Sequence, residues 1–204
     1  MGEYFAEYWL CYFMSLAVFL LPKDDFAMEL VQWKEKIEKQ YPNQLYTVHP
    51  PHMTLINMEV KNEEEGVTAL STLSGSIHPF EIIVNRTDIF WGDIATDGHT
   101  LFFGIEKNDA LHTLQESLAE VLLSVKINVP LPNYLIGSKQ LLESYDKYGF
   151  PFVGDHWIPH FSVSSLQTEK THPIIEDFLS TTKQYHFTAN QISLWRVDGD
   201  EHTL

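Results

Sequence analysis

Residues 51–55 read PHMTL, and residues 159–163 read PHFSV. Each is a Pro-His pair followed by a bulky apolar residue, a hydroxyl-bearing residue and an aliphatic one, and the second copy begins 108 residues after the first. Both copies open a segment with strand character. In a strand, side chains at i and i+2 share a face while i+1 points to the other. His52 and Thr54 therefore share one face with Met53 and Leu55 behind them, and His160 and Ser162 do the same with Phe161 and Val163 behind. Pro51 and Pro159 suit the first position of a strand, where no ladder donor is needed. If the two strands lie side by side, two imidazoles and two hydroxyls converge on one cleft.

The periodicity around the motifs sets their context. A strand is expected near 12–21, ending at Pro22, and a helix from about Asp24 to Gln40 with Phe26, Leu30, Trp33 and Ile37 on its apolar face. Asp24 and Asp25 suit the positive end of that helix. The run 49–60 alternates as a strand from His52, and 62–74 reads as a weaker helix. Phe80 to Trp91 is strand, Gly92 to His99 turn, and Thr100 to Glu106 strand. Asn108 then caps a helix with Leu111, Leu114, Leu118, Leu122 and Val125 on one side. Residues 126–155, with Pro130, Pro132, Gly137, Gly149, Pro151 and Gly154, read as a long irregular connection: a lid, a binding loop or a small subdomain. A strand at His156–Leu166, a helix near Thr171–Thr181 and one strand over Tyr185–Val197 follow, and the polar tail from Asp198 to Leu204 is expected to fray. Strand–helix–strand units occur twice, which predicts an α+β architecture with helices covering sheets in two pseudo-equivalent halves.

Composition narrows the partners. There are 28 acidic and 13 basic residues, a formal net charge of −15, and only two arginines, Arg86 and Arg196. Each phosphate that a protein neutralises needs a Lys or Arg, so a long duplex is excluded as the expected partner. Cys11 is alone, which precludes an intrachain disulfide and a thiolate metal cage and points to a reducing, cytoplasmic setting. The uncharged run Tyr8–Pro22 is too short for a membrane span and is preceded by Glu3 and Glu7 where a secretory signal would carry positive charge. Phe13–Leu21 is read as a buried strand, with no membrane partner, and a monomer is expected.

Two imidazoles on opposite sides of a phosphorus could remove a proton from an attacking oxygen and supply one to a leaving oxygen. The hydroxyls could donate to the non-bridging oxygens. This logic requires no metal and no cofactor.

The paired motifs resemble those of the 2H phosphoesterase superfamily, which includes the 2′-5′ RNA ligase-like proteins, cyclic nucleotide phosphodiesterases and viral 2′,5′-phosphodiesterases. The resemblance extends to the opening FMSLAVFLLPKDDFAMELVQWKEKI (13–37), the strand–turn–strand before the middle helix and the closing QISLWRV (191–197), and so covers roughly 12–198. HWIPHFSV (156–163) is similar to the second motif of the viral branch. The resemblance implies one bilobed domain over 1–204, two antiparallel sheets lining a central cleft with helices outside, and a pseudo-two-fold axis. It implies catalytic His52 and His160, with Thr54 and Ser162 binding phosphate, acting on a 2′-5′-linked or 2′,3′-cyclic phosphate of a small nucleotide or short oligonucleotide. Which histidine is acid and which base stays open, because the motifs are nearly symmetric. RNA end-joining by the reverse chemistry, and a nucleotide-binding module without turnover, are the alternatives. The segment 126–155 departs from a minimal member by its length.

Other residues are weighed separately. Trp157, Tyr134 and Phe152, with Phe150, are candidates for stacking on a base, whereas Phe90 and Trp91 read as core or turn. His49 and His156 invite a zinc hydrolase reading, but Pro50, Pro51 and Pro159 disfavour a helical ligand pair there, so both read as rim or loop residues. His78, His99, His112, His172, His186 and His202 lack a matching context and read as surface or helix residues. Arg86 and Arg196 read as solvated strand charges, and Glu63–Glu65 as a solvated helix start.

Overall fold

The computed structural model describes residues 14–73, 75–198 and 201–203. Cys11 and the first part of the Tyr8–Pro22 run lie outside them. Among the described residues, eight strands form two four-stranded sheets. The first has the order β2 (Met53–Val60), β1 (Met14–Leu20), β7 (Ser193–Asp198), β8 (Glu201–Thr203). The second has the order β5 (His160–Leu166), β4 (Gly98–Ile105), β3 (Phe80–Asp93), β6 (Tyr185–Ala189). Every recorded strand pairing within them is antiparallel. The two sheets match strand for strand: β1 leads through a helix to β2 on the edge, and β4 leads through a helix and a longer connection to β5 on the edge. Each motif thus starts an edge strand.

The helices cross over. Helix α1 (Asp24–Gln40) follows β1 of the first sheet but packs on the second. Its Phe26 ring meets Phe161 of β5 edge-on at 5.0 Å and Phe103 of β4 at 5.4 Å, and its Trp33 meets Phe178 of α5 (Pro173–Leu179) at 5.1 Å. Helix α3 (Asp109–Leu122) follows β4 but packs on β2 of the first sheet, beside α2 (Glu63–Ser71). Gly66 of α2 lies so close to β1 that an added Cβ would come within 2.5 Å of Leu16 Cδ1. Asn62 caps α2 and Asn108 caps α3, each side chain accepting from the amide three residues on.

Both motif strands carry a bulge at the same place. Phe19 pairs with Thr54 and Val18 with Ile56, leaving Leu55 as the extra residue; Phe102 pairs with Ser162 and Leu101 with Ser164, leaving Val163 extra. A bulge breaks the alternation, so Leu55 and Ile56 are both buried, and the cleft face of β2 continues through Asn57 rather than Ile56.

Four segments differ from their sequence reading. Residues 126–155 are not wholly irregular: α4 (Lys139–Tyr148) lies within them, capped by Ser138 and closed by Gly149 at φ 72°, a conformation glycine adopts without strain. The density of Pro and Gly around α4 hid these signals. The expected strand from His156 begins only at His160, because Gly154–His156 forms a single 3-10 turn. The expected strand Tyr185–Val197 is two: β6 pairs with β3 and β7 with β1, so the chain changes sheets at residues 190–192. The apolar alternation is the same in either sheet, and no Gly or Pro marks the crossing. The tail does not simply fray, since β8 pairs with β7.

Phe161 is fully buried among Phe26 and Phe187, behind the His160–Ser162 face. Phe161→Ala is expected to destabilise the protein by about 3–5 kcal/mol in urea unfolding. A loss below about 1 kcal/mol would contradict this packing role.

Candidate active site

His52 and His160 open onto one cleft of about 710 Å³, together with Thr54 and Ser162. Each ring is held alike. His52 Nδ1 lies 2.7 Å from the Pro50 carbonyl, and His160 Nδ1 lies 2.6 Å from the Ile158 carbonyl. A carbonyl only accepts, so Nδ1 carries the proton and donates, which leaves Nε2 as the acceptor of each neutral ring. Aromatic rings brace both. Phe19 stacks on His52 at 3.9 Å and 18°; Phe102, its counterpart across the pseudo-two-fold, meets His160 at 5.1 Å, and Phe90 meets it at 5.0 Å. The backbone between the motifs is tied directly: Trp157 Nε1 donates to the Thr54 carbonyl at 3.1 Å.

The two halves carry different charge. Around His52 stand Lys34 from α1, His49 from the approach loop and His202 from β8, whose ring centroid is 5.4 Å from that of His52. On the other side stand Asp93 and Thr100, joined by a 2.6 Å hydrogen bond from the threonine hydroxyl. Burial pushes His52 down to about 3; its hydrogen bond to Pro50 opposes this, while His202, Lys34 and His49 add to it. Burial also lowers His160, against its hydrogen bond to Ile158 and the Asp93 carboxylate. Lys34, itself buried, is lowered to about 8 by desolvation. Both imidazoles are therefore neutral near pH 7 in the free protein.

Of the stacking candidates, Phe152, Phe150 and Trp157 line the cleft, although Trp157 is buried and anchored by its indole N–H. Tyr134 is not among the lining residues; burial, Tyr145 and Asp93 raise its hydroxyl pKa. His49 lies at the wall on a loop and His156 at the wall on the 3-10 turn Gly154–His156. His202 is a correction: it is neither surface nor helix but a cleft residue, which the sequence could not reveal because β8 is only three residues long. Trp91 and Phe90 also line the cleft, with Trp91 exposed at its mouth. Lys34, Asn57 and Asp93 were missed. The one signal for Lys34 is a charge interrupting the apolar stripe Leu30–Trp33–Ile37. Among the described residues no group of three or more His, Cys, Asp or Glu is placed to hold a metal ion, and no helix is long and apolar enough to cross a membrane.

A family model described as the 2′-5′ RNA ligase superfamily matches residues 22–201. The fold superposes on that of TT0787 from Thermus thermophilus with a TM-score of 0.57 at 15% identity, over 90% of this chain and 88% of that one. It superposes on E. coli LigT complexed with 3′-AMP with a TM-score of 0.51 at 15% identity, over 90% and 88%. For LigT complexed with NADP+ the score is 0.52 at 15% identity, over 94% of each chain. At these identities the likeness is one of fold. Among curated proteins there is no match.

Because His52 is held near 3 in the fold against about 6.5 when unfolded, the unfolded chain binds more protons between those values. Its contribution to stability is complete above about pH 6.5 and lost as pH falls towards about 3. His52→Asn is expected to flatten the decline in unfolding free energy across that window, by at most the slope of one proton. An unchanged slope would show that the ring is not held neutral.

Proposed function

The chain belongs to the 2′-5′ RNA ligase superfamily, among the 2H phosphoesterases, and from that premise we propose that it is a metal-independent phosphodiesterase for a 2′-5′-linked or 2′,3′-cyclic phosphate in a small nucleotide or short oligonucleotide. The observation that carries this reading is the matched pair of imidazoles. Each is locked by its Nδ1–H to a backbone carbonyl, and each stands beside a hydroxyl in one cleft. His52 accepts a proton at Nε2 from the attacking oxygen, either water or a neighbouring ribose hydroxyl, as that oxygen bonds to phosphorus. His160, protonated, gives its proton to the leaving oxygen as the old P–O bond breaks. Thr54 and Ser162 donate to the non-bridging oxygens, where charge builds up.

The charges around the rings favour this division of roles. Burial, with three groups that can carry positive charge, His202, Lys34 and His49, keeps His52 unprotonated and so free to accept a proton, whereas Asp93 bears on His160 and supports its protonated form. A bound phosphodiester adds negative charge to both sides and raises both pKa values. The size of the substrate follows from the shortage of cations. Arg86 is engaged with the Ile105 carbonyl, Arg196 with Glu63 and Lys34 with the Tyr46 and Val163 carbonyls, so direct contact with the phosphate falls to the imidazoles and hydroxyls. That LigT, of the same fold, has been seen with 3′-AMP supports a substrate of nucleotide size. RNA end-joining is the reverse of the same step, and the family's description is what favours it as a second reading.

The test is turnover of 2′-5′-linked dinucleotides and 2′,3′-cyclic nucleotides. Activity is expected to survive a chelator and to fall about 10²–10⁴-fold in His52→Ala and in His160→Ala, with the fold intact by circular dichroism. The pH dependence is expected to be bell-shaped, with the limbs of kcat at higher pH than those of kcat/KM because bound phosphate raises both imidazoles. Loss of activity in chelator, or full rate in either alanine variant, overturns the proposal. Binding without turnover would make the chain a nucleotide-binding module.

A further inference from the structure

At each bulge the carbonyl of the extra residue is met by a buried polar side chain from the helix of the opposite half. Gln115 of α3 donates from Nε2 to the Leu55 carbonyl at 3.1 Å, and Lys34 of α1 donates from Nζ to the Val163 carbonyl at 3.1 Å. Leu55 and Val163 are the fifth residues of the two motifs and the bulged residues of β2 and β5. Each helix residue also holds the loop leading to its own half's histidine. Lys34 donates to the Tyr46 carbonyl, six residues before His52. Gln115 accepts from the Gly154 amide at 3.1 Å, six residues before His160, and donates to the Phe152 carbonyl at 2.9 Å.

The two side chains occupy equivalent positions. The buried face of α1 runs Leu30, Trp33, Lys34, Ile37, and that of α3 runs Leu111, Leu114, Gln115, Leu118. One polar residue interrupts each apolar stripe in the same local pattern, four residues after a leucine and three before an aliphatic residue. A buried polar group in a stripe that could be all hydrocarbon is costly unless it is bonded; here both are bonded, and to matching partners.

We propose that Lys34 and Gln115 are paired positioning residues, each clamping the bulge behind the opposite half's hydroxyl to the loop that delivers its own half's histidine. Lys34 thereby sets Ser162 relative to His52, and Gln115 sets Thr54 relative to His160. The two clamps run in opposite directions across the cleft, so together they fix the separation of the two imidazole–hydroxyl pairs around one phosphorus. The inference rests on the phosphodiesterase reading and names what holds its geometry. The pair differs in one respect: Lys34 carries charge. His52 is faced by Lys34 from α1, His49 from its approach loop, His202 from β8 and the uncharged Phe19 from β1. Gln115 adds no charge to either ring.

Lys34→Met and Gln115→Met test this. Each is expected to lower kcat about 10- to 100-fold, the scale of a misplacement of about 1 Å, with KM changed by less than about threefold. Lys34→Met also moves the His52 limb of the pH profile upward through the lost charge, whereas Gln115→Met leaves both limbs in place; a role in stability alone would leave kcat of the folded Gln115→Met protein at the wild-type value. If a Met variant does not fold, Lys34→Gln or Gln115→Asn, which keep a shorter donor, replace it with a smaller expected loss in kcat. Ring ¹⁵N NMR of His52 and His160 during titration with inorganic phosphate gives a readout without turnover. Both rings respond at one midpoint in the wild type, and Gln115→Met separates the two midpoints. Folded variants with wild-type kcat and a shared midpoint overturn the inference. A wild type inert on both substrate classes overturns the functional reading alone, and the NMR result then decides the clamps.

Discussion

Two short hydrogen bonds, from His52 Nδ1 to the Pro50 carbonyl and from His160 Nδ1 to the Ile158 carbonyl, are the constraint on which the candidate chemistry depends. An imidazole is useful in proton transfer only if the nitrogen facing the substrate is the one free to accept or give a proton. By engaging Nδ1 with a carbonyl two residues back in the chain, the backbone selects the tautomer and turns Nε2 outward. The loops that place those carbonyls are short and stiff. Pro50 and Pro51 restrict the first, and Pro159 restricts the second between Ile158 and His160.

Everything behind the rings supports that orientation by burial. Met53 and Leu55, and Phe161 and Val163, face the core on the reverse of each motif. The crossed helices bind the halves together: α1 leaves the first sheet to pack on the second, and α3 leaves the second to pack on the first. Neither sheet can shift without moving the helix that belongs to the other half. Burial also keeps the imidazoles neutral in the free protein.

The symmetry of the backbone is not matched by the charges. His49 and Trp157 occupy the same position, three residues before their histidines, yet one is a titratable ring at the wall and the other a buried indole bonded to the Thr54 carbonyl. Lys34 and Gln115 differ in the same sense. Of the two motif histidines, Asp93 bears on His160 and not on His52. A duplicated scaffold thus gives two chemically unlike flanks, which is what the proposed division into one base and one acid calls for.

The repeat, the shared face of imidazole and hydroxyl, and the apolar residues behind were legible because they are local: a strand's two-residue period carries them whatever the strand pairs with. The helices α1 and α3 were legible for the same reason, through their apolar stripes. What sequence alone could not reveal depends on partners far along the chain. The split of 185–197 between two sheets, the docking of β8 that brings His202 to the cleft, and the bulges that turn Asn57 inward are all set by which strand lies alongside. Lys34 and Gln115 interrupt apolar stripes, and only the opposite half supplies the carbonyls that account for them. The pattern along the chain determined which groups could do the chemistry. Only the tertiary fold decided how far apart they stand and which charges surround them, because distance and desolvation are properties of packed neighbours rather than of any one segment.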